Sequence, residues 1–265
     1  MRLAVHTNAF RDMDFHMAVE QCSKFPGVLI EASTCREHLY KCLSNEALFK
    51  LLRTSPPENI GAISGGWTDF VRGKGIEEFG ILYNQLELAV YWKVPLRLFF
   101  SNPSKEPRAT EKAMERGIDN LCRVSDAWRN SRVRICIENH GGPTANPADL
   151  NAIILNVNAL TNSRMVGITL DPANFIVCGV NPQEIIDAIN PAFIFHVHAK
   201  DITTTGEFCA VGSGLMRGFW KTMVNHLKSV GYNGIITVEY EGKDIRNRII
   251  HIRDSLNFLQ ELIND

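Results

Sequence analysis

Short β-branched or aliphatic runs alternate with longer amphipathic stretches from one end of the chain to the other. The runs predict strands at 3–7, 28–32, 60–64, 96–100, 133–138, 166–171, 193–198 and 235–239. Between them, helix-like stripes run over 76–92, 111–128, 147–160 and 219–230. Pro147 and Pro182 suit the first turn of a helix, and Gly231 suits a helix stop. Eight strand-then-helix units over 265 residues, with no linker-like or low-complexity segment, predict an α/β chain forming one (β/α)8 TIM barrel domain over 1–265. An open doubly wound sheet is the alternative, but no GxGxxG turn follows the first strand.

In a barrel, side chains along a strand alternate between the helix layer and the interior, and chemistry collects at the strands' C-terminal ends. In VRICIE, Cys136 and Glu138 share one parity; in VGITLD, Gly167, Thr169 and Asp171 do. In FIFHVH, Phe193, Phe195 and Val197 face the helices while His196 and His198 point inward, and in IITVE Glu239 points inward. The rule therefore selects Glu138, Asp171, His198 and Glu239 from four consecutive strands, with His196 one layer deeper, where it supports the ligands from behind or belongs to the core. A lone acid at a strand end is ordinarily a cap or loop residue. Three carboxylates and an imidazole converging on one rim repel one another and ask for a cation. Their mixed oxygen and nitrogen set suits one divalent metal ion, Mn, Mg, Co or Zn.

The stretches CIENHGG, GITLDPANF, FHVHAKD and TVEYEG, in this order, resemble the xylose-isomerase-like barrel superfamily. That group holds metal-dependent sugar isomerases and epimerases, inosose-processing enzymes and apurinic-site endonucleases. The resemblance implies that Glu138, Asp171, His198 and Glu239 bind the metal, and that Glu138 and Glu239 also transfer protons. The implied activity is isomerisation or epimerisation of a sugar or related hydroxy-ketone through a metal-stabilised enediolate. An inosose-type dehydratase would use the same enolising step. Many ketose epimerases of the group carry a histidine and an arginine where this chain has Asn174 and Thr204, which argues against free ketohexoses; Asn174 retains the capacity to bond a substrate hydroxyl. The endonucleases need further histidines after the third and fourth strands and an Asp-x-His pair late in the chain; SGGWTDF and FFSNPS supply no histidine, and the one Asp-x-His, Asp14-Phe15-His16, lies near the N-terminus. A non-catalytic sugar-binding barrel would be expected to lose a ligand, and all four are present.

Composition narrows the partners. At 45% hydrophobic, 22% charged and net charge −1, nothing implies broad attraction to nucleic acid or to a membrane. No apolar segment reaches membrane-spanning length, the N-terminal apolar run is too short for a secretory signal, and seven scattered cysteines without a CxxC pair favour reduced thiols. These features predict a cytoplasmic protein acting on a small carbohydrate-like molecule, and relatives leave room for a homo-oligomer. Further substrate-binding candidates are His6 on the first strand, Trp67 after the third, His140 beside Glu138 and Lys200 beside His198; each has a structural alternative as core, cap, turn anchor or solvated charge. VGSG at 211–214 is either a phosphate-binding loop or a flexible one, and Cys136 and Cys178 read as buried core.

Overall fold

The computed structural model describes residues 1–34, 59–66, 68–73, 79–101 and 110–265, with backbone only at 79–81. Trp67 and the first residues of the helix predicted at 76–92 lie outside the described residues. The strands are β1 (Arg2–His6), β2 (Leu29–Ser33), β3 (Ile60–Ser64), β4 (Leu96–Phe99), β5 (Ile135–Glu138), β6 (Val166–Leu170), β7 (Ile194–Ala199), β8 (Asp201–Ile202), β9 (Phe208–Cys209) and β10 (Ile235–Val238). All but β8 and β9 form one closed parallel barrel in the order β1-β10-β7-β6-β5-β4-β3-β2. The eight predicted strands are these eight, trimmed or extended by a residue or two. The short antiparallel β8–β9 pair sits in the loop after β7.

The described α-helices are α1 (Phe15–Cys22), α2 (Phe79–Trp92), α3 (Glu111–Ala127), α4 (Pro147–Leu160), α5 (Pro172–Val177), α6 (Pro182–Ala188), α7 (Arg217–Ser229) and α8 (Arg248–Asn264). Their boundaries have local causes. Asp14, Thr110, Asn146 and Asn181 accept backbone N–H groups of the first turns of α1, α3, α4 and α6. Pro147, Pro172 and Pro182 fill first helical positions, where a missing N–H costs nothing. After α7, Gly231 adopts φ 74°, the left-handed geometry that ends helices.

Between barrel and helices lies the main apolar layer, where Ile135, Ile137, Ile168, Leu170, Val197, Ile236 and Val238 are buried. Trp220 of α7 is fully buried there, and its Nε1 donates to Lys200 O at 2.9 Å, which pins the end of β7 to the helix layer. Burying a side chain of this kind contributes about 1.5–3 kcal/mol. The interior positions instead carry polar groups, among them Thr169, His196, His198, Thr237 and Glu138.

One parity expectation fails. The pairing of β6 with β7 shifts register between Ile168 and Thr169. Phe195, expected in the helix layer, packs in the direction of Gly167, whose Cβ would meet its ring at 2.4 Å, and beneath the Arg134 guanidinium at 4.9 Å. Gly167 and Arg134 share the interior parity of Thr169 and Cys136, so the bulge turns Phe195 into the barrel.

The VGSG loop is neither a phosphate cradle nor loose chain. Asp201, fully buried, accepts Gly212 N and Gly214 N on Oδ2 at 2.9 and 3.1 Å, and Ile202 N and Met216 N on Oδ1 at 2.8 and 2.9 Å. A carboxylate of the chain itself fills the nest. The described cysteines are free thiols: Cys136 is buried as expected, but Cys178, at the end of α5, is exposed. Among the described residues, no helix is long and apolar enough to cross a membrane.

Candidate metal centre

Glu138 ends β5, Asp171 follows β6, His198 lies in β7 and Glu239 follows β10. These strands are neighbours in the barrel, and one ligand atom from each of the four residues lies within 4.8 Å of the others. All four are buried. Asp171 does two jobs. Its Oδ1 accepts Asn174 N at 3.1 Å and caps α5, which leaves Oδ2 for the interior.

His198 Nδ1 lies 2.9 Å from Glu239 Oε2 and 3.4 Å from Glu138 Oε1. Its other nitrogen, Nε2, is engaged by Glu31 of β2, at 3.0 Å from Oε1 and 3.1 Å from Oε2. Glu31 is fully buried and also meets His196 Nε2 at 2.7 Å and the Ser64 hydroxyl at 2.5 Å. A carboxylate only accepts, so Nε2 of His198 carries the proton. Nδ1 then turns a lone pair toward two carboxylates, unless a cation stands between them. Glu138 Oε2, Asp171 Oδ2, Glu239 Oε2 and His198 Nδ1 are buried without a hydrogen-bond partner. Three oxygens and a nitrogen facing one another, paired with charges but without a hydrogen bond, fit a divalent ion of the manganese, magnesium, cobalt or zinc type.

Two cationic side chains neighbour the same oxygens. Arg97 Nε of β4 lies 3.1 Å from Glu138 Oε2, and Lys200 Nζ lies 3.2 Å from Asp171 Oδ2 and 3.0 Å from both Glu239 Oε2 and Glu241 Oε2. Burial pushes the Glu138 carboxyl up, but Arg97 and His198 outweigh it and hold it down to about 2. Glu239 is likewise held well below the usual range by Lys200, His198 and His6 against the effect of burial. At Asp171 burial prevails over Lys200, with help from Glu138, and raises the carboxyl to about 6. Burial disfavours a charged His198, yet Glu31, Glu239 and Glu138 together raise it well above the ordinary histidine value. A proton there answers the same field as a metal ion would.

A second cluster, His6, Glu31 and His198, also brings ligand atoms within 4.8 Å. Hydrogen bonds already use it. His6 Nδ1 accepts Asn8 N at 3.0 Å, its Nε2 meets Ser64 Oγ at 2.7 Å, and the Ser64 hydroxyl donates to Glu31. Burial lowers His6 to about 4, so it stays neutral.

A cavity of about 270 Å³ opens beside the four residues, lined by His6, Asn8, Ser33, Arg97, Phe99, Glu138, His140, Lys200, Glu239 and Glu241. Of the sequence candidates, His6, His140 and Lys200 thus face it. The His140 ring packs on Phe99 at 4.6 Å between centroids. Asn174 is absent from that lining: its Nδ2 donates to Glu138 Oε1 at 3.2 Å and to Asn139 O at 3.0 Å.

Sequence reasoning missed Glu31, Arg97 and Asn139. In LIEAS and LRLF the alternation that selects Glu138 also selects Glu31 and Arg97, so the same parity test applied to β2 and β4 finds both. Asn139 carries no such signal, because it lies beyond the last strand residue.

Comparison with known proteins agrees with this architecture. The family model described as xylose isomerase-like TIM barrel matches residues 77–262. No curated protein matches the sequence. Among solved structures, the chain is similar to the IOLI protein with a bound zinc atom, at 18% identity and TM-score 0.73, covering 100% of this chain and 98% of that one. It is similar to D-psicose 3-epimerase solved with D-fructose, at 15% identity, TM-score 0.76 and 100% of both chains. It also resembles the probable 3-DHS dehydratase AsbF of Bacillus anthracis, at 15% identity and TM-score 0.70, covering 98% of this chain and 99% of that one.

Proposed function

The chain belongs to the xylose isomerase-like TIM barrel family, and from that premise we propose that it is a divalent-metal-dependent isomerase or epimerase of a sugar or related hydroxy-ketone. The observation that carries the reading is the cluster of Glu138, Asp171, His198 and Glu239, with His198 Nδ1 turned to two carboxylates and Nε2 committed to Glu31. The solved relatives that act on sugars, and the one that binds zinc, support the choice of chemistry.

Glu138, Asp171, His198 and Glu239 would hold the divalent ion, whose positive charge would polarise a substrate carbonyl and ease loss of a proton from the adjacent carbon. The chain's own groups do the rest. Glu138 and Glu239 are the proton carriers: one takes the proton from carbon, and the other returns a proton to the same carbon for epimerisation or to its neighbour for isomerisation. Lys200 and Arg97 lie against these carboxylates and favour the ionised form that the proton-abstracting one needs, while the other must carry a proton when it acts as the donor. His6 and His140 face the cavity and offer hydrogen-bonding partners to substrate hydroxyls, while Asn174 holds Glu138 in place.

Charge balance favours an uncharged substrate. Among the described residues, Glu138, Asp171, Glu239 and Glu241 face Arg97 and Lys200, an excess of two negative charges that a divalent ion closes. Glu31 adds one more negative charge, surrounded by histidines. The glycine loop gives its N–H groups to Asp201 and keeps none of those for a phosphate.

The test is metal analysis of the purified protein, with deuterium uptake from heavy water followed in a panel of ketoses, hydroxy-ketones and inososes. Exchange that depends on added metal and disappears in Glu138→Gln and Glu239→Gln supports the reading. Exchange that both variants leave unchanged, or a protein that binds no divalent ion, overturns it. A dehydrated product moves the assignment to the dehydratase.

A further inference from the structure

Beneath the four proposed ligands, one carboxylate gathers hydrogen bonds from three side chains on two other strands. Glu31 of β2 accepts from Ser64 of β3, from His196 of β7 and from His198 of β7, and it is fully buried. His196 Nε2 is shared between Glu31 Oε2 at 2.7 Å and Thr237 Oγ1 at 3.1 Å. Burying an ionised carboxylate costs several kcal/mol, so about three strong hydrogen bonds are the least such a group needs. Glu31 has them.

We infer that Glu31 is the positioning residue of the centre: it fixes the Nε2–H tautomer of His198 and so presents Nδ1, with its lone pair, to the ion. The inference rests on the metal reading of Glu138, Asp171, His198 and Glu239. The logic is one of bond directions. An imidazole has two nitrogens, and in its neutral form one donates while the other accepts. Only the tautomer that donates from Nε2 satisfies Glu31; the other would set two acceptors face to face at 3.0 Å while placing a proton at Nδ1, where the ion belongs. Glu31 thereby polarises the ring and makes Nδ1 a stronger donor, as carboxylates behind metal-bound histidines do. His6 supports the arrangement through Ser64. Its Nδ1 accepts Asn8 N, so its Nε2–H donates to Ser64 Oγ and leaves the Ser64 hydroxyl proton for Glu31.

Two measurements on the full chain decide it. In zinc-loaded protein carrying 15N-labelled histidine, long-range 1H–15N spectra should show His198 with a proton on Nε2 and none on Nδ1, the residue being identified by the signal lost in His198→Asn. A proton on Nδ1 with a bare Nε2 overturns the inference, and because this spectrum is of the wild type it decides even if a Glu31 variant fails to fold. In calorimetric titration with Mn2+, Glu31→Gln should weaken binding about 10- to 100-fold, whereas Ser64→Ala, which spares both histidine bonds, should change it by no more than about threefold. In a His198→Ala background, Glu31→Gln should cost nothing further; an undiminished loss there shows that Glu31 acts by another route and overturns the inference. Lack of Mn2+ binding by the wild type defeats the metal reading and this inference together. Tight binding that survives Glu31→Gln defeats this inference alone.

Discussion

The side-chain amide of Asn139 grips the backbone of Asp171 at two points, donating from Nδ2 to Asp171 O at 2.7 Å and accepting Asp171 N on Oδ1 at 2.8 Å. β5 has ended at Glu138 and β6 at Leu170, so the amide continues the ladder by one step beyond its last backbone pair. Two proposed ligands, Glu138 and Asp171, are thereby held in register.

Replacing Asn139 by Ala leaves two buried backbone groups of Asp171 without partners. The expected cost is about 2–4 kcal/mol in urea unfolding, together with weaker divalent-ion binding, because the Asp171 carboxylate loses its fixed origin. Unchanged stability would show that water or a local shift replaces both bonds.

Lys200 lies against Asp171 Oδ2 and Glu239 Oε2, the oxygens for which the proposed divalent ion would compete. Lys200→Met strips the buried carboxylates of that partner and should destabilise the metal-free protein by about 3–5 kcal/mol. Added Mn2+ should then raise the melting temperature of the variant more than that of the wild type. An equal rise in both would mean that the ammonium and the ion do not share oxygens.

Asp201 organises the loop after β7 by accepting four backbone N–H groups. In Asp201→Asn the amide nitrogen cannot accept, so two of those donors lose their partner. The predicted loss is about 2–4 kcal/mol, with faster amide exchange at Gly212, Gly214 and Met216. Slow exchange at those amides in the variant would refute the role.

At the N-terminal segment, Arg248 of α8 reaches back to Asp12 Oδ2 at 2.8 Å and Ala9 O at 3.2 Å, and stacks on Phe10 at 5.1 Å. Its hydrogen bond holds the Asp12 carboxyl below the usual range. A depressed folded-state value means that the stabilisation is full above the ordinary carboxylate value near about 4 and is lost as pH falls through the folded value. Asp12 is 45% exposed, so screening leaves this charge contribution at about a few tenths of a kcal/mol. Arg248→Ala should cost more, about 1–3 kcal/mol at pH 7, because its buried packing and its bond to Ala9 go too. Stability curves of Asp12→Asn and wild type should converge as pH falls through the depressed Asp12 value; a constant offset would exclude the ionic contribution.

Period-two alternation is a local property, and the sequence alone was enough to identify eight strands and to set Glu138, Asp171, His198 and Glu239 on the interior face of consecutive ones. The parity of each side chain depends only on its neighbours in the same strand. Where a strand bulges, as β7 does beside Ile168, the count slips, and Phe195 enters the barrel instead of the helix layer.

Contacts across the barrel obey a different rule. Glu31 meets His196 and His198 over separations of 165 and 167 residues, and that meeting exists only because the sheet closes with a particular stagger. Closure decided which nitrogen of His198 faces the carboxylates, which cations stand beside them, and that the N–H groups of VGSG belong to Asp201. Sequence determined the inventory of interior groups; tertiary structure decided their partners, since a hydrogen bond needs a distance and an angle that no pattern along one strand contains.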